Sequence, residues 1–159
     1  MKHLPKHLQP RYRYLALAVE TWPDATFGRR AFQQAVWDAT RSLLGDPGRA
    51  AVDPTVLRFE RTGPVAEVIV TVRRGTADRA RAAIACIEAV AGQPVGIRVR
   101  GVAGTVRACE EKYLGGPPEP SGESTVVYDR QERTATVRSP RVDVRHGSTY
   151  TGATESDCE

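Results

Sequence analysis

From Gly115 to Glu159 the chain contains no Leu, Ile, Phe, Met or Trp. Any core of large side chains must be built from residues 1–114, which hold 54 of the 64 apolar residues. The break opens with Gly115-Gly116-Pro117-Pro118-Glu119-Pro120-Ser121-Gly122, the chemistry of a linker. A segment without large aliphatics offsets little of its own ordering entropy, so residues 115–159 are expected to be mostly disordered. Thr125-Val126-Val127-Tyr128 and Thr134-Ala135-Thr136-Val137 are the one candidate for a marginal hairpin there. Charge divides at the same place. Residues 1–114 carry 18 Lys+Arg against 11 Asp+Glu, a net +7, and the tail is net −3. A basic domain over 11–114 thus follows a basic arm over 1–10 and precedes an acidic appendage.

Several classes are excluded. No run approaches the roughly 18 to 20 apolar residues of a membrane span. The basic start, Met1 to His7, has no apolar stretch behind it and does not read as a secretory signal. Cys86, Cys109 and Cys158 share no short spacing, which fits neither a disulfide framework nor a zinc knuckle. A reduced, cytoplasmic protein is expected.

Periodicity orders the domain. Arg11 to Glu20 alternates, with Leu15, Leu17 and Val19 on one face and Tyr14, Ala16 and Ala18 on the other, which predicts a strand. Phe27 to Leu44 is predicted helical, with Phe32, Val36, Ala39 and Leu43 inward. Gly45 caps it, and Asp46-Pro47-Gly48 prevents continuation. Strands at 55–61 and 66–74 form a hairpin through Thr62-Gly63-Pro64. A second helix is predicted over 77–91, with Ala80, Ala83, Ile84, Ile87 and Val90 inward, then a strand over 95–101 and a short helix over about 104–114. The order β-α-β-β-α-β predicts an α+β, ferredoxin-like (RRM-like) sandwich with an added C-terminal helix.

The sheet face away from the two long helices would carry Tyr12, Tyr14, Ala16, Ala18, Arg58, Ile69, Thr71, Arg73, Arg98 and Arg100. Its third strand has no aromatic residue, so stacking of splayed bases is not the main device. The semi-apolar patch at Ala16, Ala18 and Ile69 needs a cover, for which the third helix is the nearest candidate. No catalytic constellation is present: His3, His7 and His146 lie in the ends, and no paired-carboxylate, nucleophile-elbow or phosphate-loop spacing occurs.

Two features exceed background. The arm and first strand supply Lys2, Lys6, Arg11 and Arg13 with no acid before Glu20, which suits a phosphate backbone as well as a solubilising terminus. Ile97-Arg98-Val99-Arg100-Gly101-Val102-Ala103-Gly104-Thr105-Val106-Arg107 runs a basic strand through Gly-x-x-Gly into a helix start. Free backbone N–H groups there attract anions, and the alternative is a tight turn whose glycines serve backbone geometry.

The start Met1 to Leu15, the stretch Ile97 to Arg107 and the following Glu110-Glu111-Lys112-Tyr113-Leu114 resemble the archaeal members of the ribonuclease P protein component 2 family. The resemblance covers residues 1–114. Ala103 stands where the family usually has Ser, which weakens a side-chain role for that turn. The resemblance implies a subunit of the ribonucleoprotein that cuts precursor tRNA to the mature 5′ end. The RNA would carry the chemistry with Mg²⁺, and this chain would bind no cofactor. Its partners would be the ribonuclease P RNA and other protein subunits, one as a direct pair, with precursor tRNA as holoenzyme substrate. The residues expected to touch RNA are Lys2, Lys6, Arg11, Arg13, Arg73, Arg98, Arg100, Arg107 and Lys112, and Tyr12 or Tyr14 could stack on a base. Two rival readings use the same fold: a small-molecule regulatory domain, and a protein-interaction module whose arginines face an acidic protein.

Overall fold

A computed structural model describes residues 4–9, 11–116 and 122–158. The chain divides into two compact units, one formed by 1–91 with 95–116, the other by 92–94 with 117–159. Lys2 lies outside the described residues.

The first unit contains β1 (Tyr12–Thr21), α1 (Arg29–Val52), β2 (Thr55–Thr62), β3 (Val65–Arg73), α2 (Ala77–Ala85), β4 (Ala89–Val90), β5 (Gln93–Ala103) and α3 (Val106–Tyr113). The sheet order is β2-β3-β1-β5-β4, with β1 antiparallel to both β3 and β5. This is the expected ferredoxin-like arrangement with one short strand added at an edge. The alternation in β1 explains its central place. Leu15, Leu17 and Val19 meet Phe32 and Val36 of α1, Ala80 and Ile84 of α2, and Val68, Val70 and Val72 of β3 in the main core.

Four local expectations are corrected. Gly45 does take the left-handed conformation of a cap, at φ 73°, but the helix resumes at once and runs to Val52. Pro47 stands at the start of the resumed piece, where a missing N–H removes no helical hydrogen bond. On α1, Thr40 is buried and Leu43 is about half exposed, because the inward positions follow a spacing of four from Phe32 through Val36. The Thr40 hydroxyl tolerates burial by donating to the Val36 carbonyl at 2.7 Å. Helix α2 ends at Ala85 rather than at 91, and the chain turns back through Ala91 and Gly92, both at positive φ. Ile87 and Val90 are buried all the same.

The fourth correction concerns the tail. Residues 122–154 form β6 (Gly122–Tyr128), β7 (Gln131–Arg138), β8 (Arg141–His146) and β9 (Thr149–Thr154), an antiparallel sheet in chain order. The hairpin expected from 125–128 and 134–137 is its first half. Ala135, Val142 and Val144 are buried on one face, with Val126, Tyr128, Val137, Ala153 and Cys158 packed around them. Absence of large aliphatics was a misleading criterion here: Val, Thr and Tyr have the shape that pleated surfaces favour, and four strands share the ordering cost that one hairpin cannot meet.

Candidate nucleic-acid interface

The open face of the first sheet is closed by α3. Ala16 and Ile69 pack with Cys109 and Leu114, and Tyr14, Ala103, Val106 and Tyr113 border them. The helix starts where Thr105 accepts a hydrogen bond from the Ala108 N–H at 3.1 Å, so the cap comes from Thr105 and Ala103 is a strand residue. Two polar tethers hold its far side. Arg58 of β2 donates to Glu110 of α3 at 2.8 Å and to Glu60 at 2.6 Å. The Glu60 hydrogen bond holds the Arg58 guanidinium above its ordinary pKa, and the same bond holds the Glu60 carboxyl below its own. Arg100 donates to the Tyr113 carbonyl at 3.1 Å and pairs with Glu67 at 3.6 Å, and Glu67 accepts from the Gly115 N–H at 3.2 Å.

The glycines of the Gly-x-x-Gly turn serve space rather than backbone conformation. Neither has a positive φ. A side chain at Gly101 would run into the Tyr113 ring, and one at Gly104 would stand 3.0 Å from Nη1 of Arg13.

The sequence-derived basic set separates in space. Arg11, Arg13 and Arg73 come together at the sheet end where β1 begins and β3 finishes: Tyr12 lies opposite Arg73, and Arg74 N–H donates to the Arg11 carbonyl at 2.8 Å. Ala103 is opposite Tyr14, so α3 starts at this same end, with Arg107 in its first turn. Among the described residues, the side chains of Arg11, Arg13 and Arg74 meet no acid. Arg73 is 3.7 Å from Asp53, both half exposed, a loose pair of little energetic weight. Arg107 is almost fully exposed and pairs with Glu111 at 2.8 Å.

The others lie apart. Arg98 is exposed on β5 opposite Ala18 and is engaged with neighbours. Arg100 is committed to α3 as described. Lys112 stands over the Tyr113 ring at 5.3 Å, and Lys6 is exposed in a 3-10 turn, Lys6–Leu8. Sequence reasoning missed Arg74, because the arm and the open sheet face were counted and Arg74 belongs to neither; its adjacency to Arg73 was the available signal. It also missed the Arg58–Glu110 and Arg100–Glu67 tethers, which join residues far apart in the chain.

A basic sheet end beside a helix start, with no aromatic residue on β3, favours phosphate over base recognition. The family model of the Rpp14/Pop5 family matches residues 13–114. The chain belongs to the Rpp14/Pop5 family. It is similar to the "Ribonuclease P protein component 2" of Haloarcula marismortui, at 55% identity over 159 residues and 99% of each chain. The protein of that name from Halorubrum lacusprofundi is 53% identical over the whole of both chains. That from Thermococcus kodakarensis is 31% identical over 113 residues, 71% of this chain and 91% of the relative. As a member of the Rpp14/Pop5 family this chain is a protein subunit of ribonuclease P, the ribonucleoprotein endoribonuclease of precursor tRNA processing. The regulatory-domain and pure interaction-module readings are not favoured. The family match ends before β6, whereas the Haloarcula and Halorubrum relatives match through the second unit as well.

Proposed function

We propose that this Rpp14/Pop5 subunit binds the backbone of the ribonuclease P RNA with one end of its first sheet. Arg11, Arg13, Arg73 and Arg74 meet the phosphates there, and Arg107 extends the surface along α3. Lys2 and Lys6 continue it through the N-terminal arm, and Lys112 and Arg98 make peripheral contacts. Arg100 acts indirectly, by holding α3. The observation that carries this reading is the set of three arginines, 11, 13 and 74, whose side chains lack an acidic partner among the described residues while sharing one sheet end. Clustered cations without counter-charges repel one another and gain from a polyanion that replaces their counterions. The same reading holds that the RNA component carries the chemistry with its Mg²⁺, that this chain binds no cofactor, that at least one further protein subunit pairs with it directly, that precursor tRNA enters as holoenzyme substrate, and that the assembly works in the cytoplasm; membership of a ribonuclease P subunit family supports association with that complex.

The test is a salt titration of binding to the ribonuclease P RNA. Replacing Arg11, Arg13 and Arg74 together by Gln is expected to flatten the log–log salt slope by about two to three, given roughly 0.7 to 0.9 per phosphate contact. Arg41→Gln, on the exposed side of α1, is expected to leave the slope alone. A triple variant with unchanged affinity and slope would remove this sheet end from the interface.

A further inference from the structure

The two sheets treat their edges differently. In the first, β4 has two residues, and β2 carries a register shift between Val56 and Arg58 that interrupts its ladder. Shortness, bulges and charge are the ordinary protections against pairing with another chain. In the second, β9 holds Gly152 mid-strand, which weakens it as a template. Edge strand β6 is neither short nor bulged, and Glu123 is its one charged residue. It runs for seven residues, Gly122-Glu123-Ser124-Thr125-Val126-Val127-Tyr128, paired to β7 at every position without a bulge, and contains no Pro, Lys or Arg. Its first four residues are exposed, and no strand among the described residues lies on its outer side.

We propose that β6 pairs antiparallel with β6 of a second copy of this chain, joining two four-stranded sheets into one of eight. The sequence of β6 is complementary to itself about Thr125. In that register Thr125 faces Thr125, Ser124 faces Val126, and Glu123 faces Val127. Glu123 is the one charge in the strand, so no like charges oppose each other. Tyr128 faces Gly122, where nothing stands within 4 Å of a Cβ position. An aromatic ring laid over a cross-strand glycine covers otherwise bare backbone. Ser124, Val126 and Tyr128 share the face of Ala135 and Val144, so the apolar cluster of each copy continues across the junction. This inference is independent of the RNA-binding reading, which concerns the first unit.

The test uses the full chain after nuclease treatment, with mass measured by light scattering. Thr125→Lys and Thr125→Glu each place like charges opposite one another and are expected to halve the mass of the wild-type species. Mixing the two is expected to restore it. Thr125→Cys, which leaves the pairing intact, is expected to give a covalent dimer on oxidation, because opposed Cα atoms in antiparallel strands are about 4.5 to 5.5 Å apart, within disulfide range. A wild-type mass unchanged in Thr125→Lys, a mixture that stays at half mass, or a Thr125→Cys chain that does not cross-link would each overturn the pairing.

Discussion

The ring of Tyr113 fills the space that a side chain at position 101 would need. The Tyr113 ring, from the last turn of α3, therefore packs directly on the β5 backbone at Gly101. Gly101→Ala is expected to push α3 off the sheet and to cost about 1 to 3 kcal/mol, the usual range for overpacking a filled site. Denaturant unfolding of the wild type and the variant measures this, and an unaltered midpoint would mean that Tyr113 swings aside freely.

Arg100 ties the Tyr113 carbonyl to Glu67, and Glu67 holds the Gly115 N–H. Arg100→Met keeps most of the apolar stem and removes the tether, leaving Glu67 without its cation. Loss of about 1 kcal/mol is expected for a half-buried charge-assisted contact. The local sign is faster amide hydrogen exchange at Leu114 and Gly115, with the amides of β1 unchanged. In RNA binding the same variant is expected to keep the wild-type salt slope, which separates a positioning residue from a phosphate ligand.

Cys109 reports on the same helix. Burial, and then the neighbouring Glu110 carboxylate, push its thiol pKa up, whereas Cys86 is exposed. A raised native pKa leaves the associated stability intact below the unfolded thiol value of about 8.5 and erodes it as pH rises toward the native value. At pH 8 iodoacetamide is expected to label Cys86 first and Cys109 only after α3 opens. Gly101→Ala should accelerate Cys109 labelling; equal rates in wild type and variant would show that α3 does not guard the thiol.

Asp157 accepts hydrogen bonds from the Thr154 backbone N–H at 2.9 Å and the Thr154 hydroxyl at 2.8 Å, in that order of effect, and both hold its carboxyl below the usual range. A lowered native pKa gives stability that is present above the unfolded value of about 3.9 and is lost as pH falls through the native value. Asp157→Asn is therefore expected to destabilise the second unit at pH 6, with the difference from wild type closing below pH 4. Urea midpoints across that range decide it, and a constant difference would assign the effect to shape rather than charge.

The first unit was readable because its strands alternate plainly and its helices repeat at three and four. Ala16, Ala18 and Ile69 even announced that something must lie on that face, and α3 covers Ala16 and Ile69. Periodicity could not reveal that Arg58 and Arg100 are occupied, since their partners Glu110 and Glu67 are distant in sequence. It also could not separate Leu43 from Thr40, whose hydroxyl finds a carbonyl one turn back. The second unit was missed for a different reason: its core is built from Ala and Val with Tyr at the margin, too few per strand to signal order until four strands add their contributions.

The late position of α3 in the chain has a consequence for synthesis. Ala16 and Ile69 leave the ribosome long before Cys109 and Leu114, which cover them. Throughout that interval the nascent β1, β2 and β3 expose apolar surface on both sides, one awaiting α2 and the other α3. The basic residues around that surface, Arg11, Arg13, Arg73 and Arg74, are already in place, and mutual repulsion between neighbouring nascent chains keeps the half-made sheets from stacking on each other.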